Sequence, residues 1–291
     1  MNIHKPMNKQ WTVLRAVGFA LALLLIVGLV LGRSVVRRLS SAAKSHMLAV
    51  LDAPQVTASR QGRYTDIIFL HHSVGTNLIE QGGVRERLTE AGYTFWDHGY
   101  NGDGLRGPDG SNRGYNLFVP DDNTDPDGLS MIFGQEPYPL PLNTLSALLQ
   151  HDVIVIKSCF PNSQISSDGQ LGQLKQLYLD MRNTMDKHPD KLFIVITQPP
   201  LNPAETNAEN AARAHALATW LASDEFLHGQ SNVTTFNLFD QLADGDPASP
   251  DYNMLRREYQ DGADSHPNRL ANETIGPAFA DFIIAAADAR R

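Results

Sequence analysis

Asp152-Val-Ile-Val-Ile-Lys157 places four consecutive β-branched residues between two charged ones. A strand with one wet face would alternate polar and apolar side chains. This one has no polar face, so it expects cover on both sides. Working outward, Lys191-Leu-Phe-Ile-Val-Ile-Thr197 repeats the pattern downstream, and Asp66-Ile-Ile-Phe-Leu70 upstream. Tyr93-Thr-Phe-Trp96 and Val233-Thr-Thr-Phe-Asn237 read as two more strands. Between them lie segments of helical spacing. Residues 76–91 carry Leu78, Ile79, Val84 and Leu88, and 169–187 carry Leu171, Leu174, Leu177, Tyr178 and Met181. Residues 142–149, 204–227 and 268–289 are further helices. Apolar strands alternating with helices, joined by right-handed crossovers, define an α/β fold. The expectation is a three-layer α/β/α sandwich around a mainly parallel sheet of about five strands. Residues 97–141, rich in Gly, Asp, Asn and Pro, interrupt the alternation as one long loop.

The chain has 291 residues and a formal charge of −8, and the charge is unevenly spread. Residues 1–51 hold seven Lys or Arg and no acid, which leaves 52–291 with 17 basic and 32 acidic side chains, a net of −15. An acidic body argues against a nucleic-acid partner. One cysteine, Cys159, excludes an internal disulfide and any cysteine-cluster metal site.

Ala16 to Gly32 is an uncharged apolar run of 17 residues, preceded by Trp11 and Arg15. That is the short end of a membrane-spanning helix. A buried core helix would rarely carry basic flanks on both sides. A cleaved signal peptide would normally show a shorter apolar region and a small-residue cleavage site. The reading is a basic tail at 1–10, a single-pass anchor at 11–32, a tether at 33–63 and a catalytic body at 64–291. Basic residues flank the span on both sides and do not set its orientation. An N-terminal anchor ahead of a whole domain most often exports it, so the body is expected outside the cytoplasm.

In a doubly wound sheet, ligands bind beyond the carboxyl ends of the strands. Those ends carry Leu70-His-His-Ser73, His98-Gly-Tyr-Asn-Gly102, Ser158-Cys-Phe-Pro-Asn-Ser163 and Gln198-Pro-Pro-Leu-Asn202. Asp261-Gly-Ala-Asp-Ser-His-Pro-Asn268 precedes the last helix. This set permits acyl transfer. Ser73, at a helix start, is a candidate nucleophile and His266 its general base. Asp264 or Asp261 would orient the imidazole. The Ser73 and Gly102 backbone N–H groups and the Asn162 amide are candidate oxyanion donors. His72, Cys159 and Gln198 are candidate neighbours. Taken singly, each has a bland reading: Ser73 as a helix cap, Gly102 and Asn162 as turn residues, Cys159 as a small buried side chain.

Together these blocks resemble the SGNH hydrolases, the GDSL-like lipases and esterases. That family takes its name from a Ser, a Gly, an Asn and a His in four separate blocks. Ser73 in HHSVG, Gly102 in NGDG, Asn162 in CFPNS and His266 in DSHPN match in order. The resemblance spans roughly residues 64–289 and implies a flavodoxin-like sandwich and a serine esterase needing no cofactor. There are departures. His71-His72 replaces the usual Gly-Asp before the serine, and Phe160-Pro-Asn-Ser163 replaces Gly-x-Asn-Asp. Ala263 stands where the family's acid normally does.

Rival chemistries have weaker support. His71, His72, His98, Asp103, Asp264 and His266 include ligating types but no metal-binding spacing. Asp121–Gly128 has the look of a calcium loop, yet Pro126 and Ile132 occupy the Gly and Glu positions. The expectation is therefore a membrane-anchored esterase acting on an O-acyl, possibly O-acetyl, group of a small molecule or glycan. An acyltransferase using the same residues and a non-catalytic glycan-binding relative are the alternatives. Tyr100, Tyr115, Phe118, Phe133 and Tyr138 are the aromatic residues available to shape the substrate site.

Overall fold

The computed structural model describes residue 37, residues 40–120 and residues 125–291. The proposed anchor at 11–32 lies outside them. Among the described residues no helix is long and apolar enough to cross a membrane. The chain divides into two compact units, Met1–Lys44 and Ser45–Arg291. Of the first, the described residues 40–44 are helical. The second unit carries the sheet.

A helix ending at residue 58 (α1) opens this unit. The sheet then contains β1 (Asp66–Leu70), β2 (Thr94–His98), β3 (Leu105–Arg106), β4 (Val153–Lys157), β5 (Leu192–Ile196) and β6 (Val233–Phe236). Its order is β3-β2-β1-β4-β5-β6. Every pair is parallel except β2–β3, which is antiparallel. The five long strands are those read from the apolar runs. The sixth, two residues long, lies in the segment read as a loop; so short a strand has no apolar run to announce it.

β1, β4 and β5 are buried at every position, as their unbroken apolar runs require. Alternate residues serve opposite faces. Ile68, Leu70, Ile154, Ile156 and Val195 join one core. It includes residues of α4 (Pro126–Phe133), α5 (Thr144–Leu148), α6 (Asp168–Met185) and α7 (Ala208–Leu221). Ile67, Phe69, Val153, Val155 and Ile194 join the other. That core includes residues of α2 (Ser73–Glu80), α3 (Val84–Glu90), α9 (Leu238–Leu242) and α10 (Arg269–Asp288). The short α8 (Asp224–Leu227) follows α7. The three layers expected from the sequence are present.

Two long helical readings are divided. Residues 76–91 break because Gly83 takes a φ of 66°, outside the helical region. Residues 204–227 become α7, capped by Asn207 whose side chain accepts from Asn210 N, and then α8. Residues 97–141 are more ordered than a loop, since they contain β3 and α4. Of the segment read as calcium-like, residues 121–124 lie outside the described residues, and from Pro126 it forms α4, with the proline in the first turn.

α2 and α10 meet at backbone distance. A Cβ on Gly276 would stand 2.4 Å from the Gly82 carbonyl oxygen, and Asn272 Nδ2 donates to Gln81 Oε1 at 2.9 Å. This contact sets the end of α2 against the helix that follows the His266 loop.

Candidate active site

The strand order reverses direction between β1 and β4, the switch point where such sheets open a crevice. Ser73 begins α2 directly after β1 and is half-buried. Its Oγ lies 2.7 Å from His266 Nε2. His266 Nδ1 faces the Asp264 carboxylate, 2.8 Å from Oδ1 and 3.0 Å from Oδ2. With the carboxylate accepting at Nδ1, the proton sits on Nδ1 and leaves Nε2 a lone pair toward the serine hydroxyl. The hydrogen bond from His266 holds the Asp264 carboxyl below the usual carboxylate range.

Of the two candidate acids, Asp264 is the one on the imidazole. The two-residue separation works because Asp264 Oδ1 also accepts His266 N–H at 3.1 Å, closing a tight turn. Asp261 forms a backbone bridge with Asp264.

The remaining candidates separate. Asn162 sits on a 3-10 turn after β4 and donates its backbone N–H to Cys159 O at 3.1 Å. Its Nδ2 is buried near the Asp125 carboxyl without a hydrogen bond of ordinary geometry. Gly102 is exposed, and a Cβ there would meet nothing within 4 Å, so no close approach demands glycine at this position. Neither Gly102 nor Asn162 hydrogen bonds to Ser73, His266 or Asp264. Cys159 is buried, with a free thiol. Gln198 turns toward α7 and donates to Ala214 O at 2.9 Å, which is a structural role. His72 caps α2, and its ring stacks on Tyr100 at 4.4 Å between centroids. Among the described residues no group of His, Cys, Asp and Glu is arranged to hold a metal ion.

Of the supporting residues, His71 was named from the sequence among the ligating types, while Arg85, Asp97 and Lys157 were not singled out. Beneath the nucleophile, His71 is buried with both ring nitrogens on acceptors. Nδ1 lies 2.9 Å from His72 O and Nε2 3.2 Å from Asp97 Oδ2. Both ring nitrogens thus face oxygen acceptors. Asp97 also receives Arg85, which donates as well to Phe95 O and Gly107 O, each at 2.8 Å. Burial alone would raise the Asp97 carboxyl; His71 and Arg85 outweigh it and hold it low. On β4, Lys157 is fully buried and donates to Ser158 O at 2.7 Å, and burial lowers its pKa. Charged residues at strand ends read as strand boundaries in sequence, and their burial becomes visible only in three dimensions.

His98, the last residue of β2, accepts Leu117 N–H on Nε2 at 3.1 Å. Burial, helped by the nearby His71, pushes its pKa down to about 4. An unfolded histidine binds its proton near about 6.5. Between those values the unfolded state holds more protons, so stability is full above the unfolded value and falls as pH drops toward 4. The expected loss is roughly 3 kcal/mol across that window. Urea titrations of wild type and His98→Gln at pH 7 and pH 4.5 measure it. A slope with pH that is the same in both proteins would refute this assignment.

An open α/β sheet with a Ser–His–Asp relay at its switch point defines the class of site. No family model matches the chain, and no curated protein matches it in sequence. Among solved structures it is similar to a Bacteroides fragilis protein described as "a putative acylhydrolase". Identity is 10% over 81% of this chain and 95% of that one, with a TM-score of 0.49. It is also similar to a Streptococcus pneumoniae protein described as "a putative platelet activating factor". There identity is 14% over 87% of this chain and 99% of that one, with a TM-score of 0.47. Likeness at that level says nothing about this chain's chemistry, which stands on its own geometry.

Proposed function

We propose that the chain is a serine esterase of the SGNH type, acting on an O-acyl ester through Ser73, His266 and Asp264. The observation that carries this reading is the continuous relay from Ser73 Oγ through the His266 ring to the Asp264 carboxylate.

Ser73 Oγ attacks the acyl carbon and passes its proton to His266 Nε2. Asp264 stabilises the imidazolium that forms. The tetrahedral oxyanion is met by N–H donors at the start of α2, where first-turn amides lack intrahelical partners. Gly102 N–H and the Asn162 amide are the further donors proposed; Asn162 must turn its buried nitrogen outward to serve. Collapse expels the alcohol, which takes the proton from His266, and leaves Ser73 acylated. Water then attacks the acyl carbon, gives its proton to His266, and releases the carboxylic acid as Ser73 recovers its hydrogen. The proposed setting is an anchor at 11–32 with the body outside the cytoplasm. The proposed substrate is an acetylated glycan or a small acyl ester. No step calls for a metal or cofactor.

A fluorophosphonate probe followed by peptide mapping tests the reading. Labelling is expected on Ser73 and is expected to vanish in His266→Ala. Labelling confined to another residue, or none in folded protein, would remove the reading.

A further inference from the structure

The acid of the relay is unusually open, with the Asp264 side chain 59% exposed. Water competes for such a carboxylate, so its alignment depends on how firmly its backbone is held. The grip comes from the exit of β5. Asn202 is buried, and its Nδ2 donates to Gly262 O at 3.1 Å and to Asp264 O at 3.2 Å. Its backbone N–H donates to Ser265 Oγ at 3.0 Å. The Ser265 hydroxyl donates in turn to the Glu205 carboxylate, and Ser265 is fully buried. Asn202 Oδ1 accepts Ala204 N–H at 3.0 Å, which fixes the rotamer of the side chain. The Gly262 carbonyl, two residues before Asp264, and the carbonyl of Asp264 itself are thus tied to one amide, and Ser265 after it is tied to the same segment. Asn202 makes no hydrogen bond to Ser73 or to His266.

We propose that Asn202 is a positioning residue that acts on the reaction through Asp264. By holding the 262 and 264 carbonyls it keeps the carboxylate on His266 Nδ1. The inference rests on the Ser73–His266–Asp264 reading.

The rate of Ser73 labelling by a fluorophosphonate reads the relay without a known substrate. It should be measured in the full chain, in Asn202→Ala, in Asn202→Asp, in Asp264→Ala and in the doubles. Asn202→Asp keeps the shape but loses both amide donors. In the wild-type background each Asn202 variant is expected to lower the maximal labelling rate about 100-fold with reagent affinity unchanged, the scale of a small misplacement of a catalytic group. In the Asp264→Ala background the same change is expected to cost less than about twofold, because the group it positions is gone. Ser265→Ala loosens the same loop from its other side and should show the same loss and the same masking. That variant decides the matter if the Asn202 variants do not fold. An unchanged rate in Asn202→Ala, or an equal loss with and without Asp264, would overturn the proposal. Absence of Ser73 labelling in the wild type removes the underlying reading instead, so the two failures are distinguishable.

Discussion

Ser73→Ala is expected to lower kcat/KM for a short acyl ester by on the order of 10^4- to 10^6-fold, with little change in thermal stability. The loss is large because the hydroxyl is the only group in the relay able to form the acyl intermediate. What remains would come from bound water and N–H donors alone. Stability is spared for local reasons. Ser73 is the first residue of α2, and the cap position is His72, so no capping bond is lost. The side chain is half-buried and small, so its removal opens no cavity in either core. His266 keeps its bonds to Asp264. His266→Ala should match the loss, and the double variant should add almost nothing, since the two act as a unit. Ester turnover by Ser73→Ala at the wild-type rate would end the serine-esterase reading.

Asp97→Ala should produce the largest loss of stability, about 3–5 kcal/mol. The Asp97 carboxylate lies between the His71 ring, with its side chain 2% exposed, and the Arg85 guanidinium, at 11%. Removing it leaves the guanidinium with no counter-charge and a buried ring nitrogen with no partner. The cost lies in those orphaned groups and not in any intrinsic value of the pair. A drop in melting temperature on the order of 10 °C follows for a domain of this size. Replacing the cation as well, in Asp97→Ala with Arg85→Met, should recover part of it. A single variant that melts within about 2 °C of wild type would refute this account of Asp97. Activity should fall too, because His71 holds the carbonyl of the residue that caps the Ser73 helix.

Much of this was legible in the sequence, and for identifiable reasons. Four β-branched residues at 153–156 read as a strand covered on both faces, and this run, with four other strand-like runs and helices between them, points to a layered α/β architecture. Ser73 was singled out because it stands between an apolar run and a helix, and His266 because its block directly precedes the last helix. The choice between Asp264 and Asp261 was not legible, because it turns on whether a two-residue turn can bend a carboxylate onto its own histidine. The break at Gly83 was hidden because the apolar spacing continues across it. Asn202 stood in a strand-end block, but its bonds to the Asp264 loop could not be read from it. Its partners at 262–265 lie about 60 residues downstream, and only the return of the chain to the end of β5 brings them together.

The relay joins residues 193 positions apart, and α10, which follows His266, packs at backbone distance against Gly82. During synthesis, Ser73 and its helix emerge before His266 and α10 do. Until the His266 loop docks, the Ser73 hydroxyl lacks its imidazole partner. Docking is thus the step that completes the proposed relay. Proteolysis that released residues 269–288 would reverse that step without touching the nucleophile.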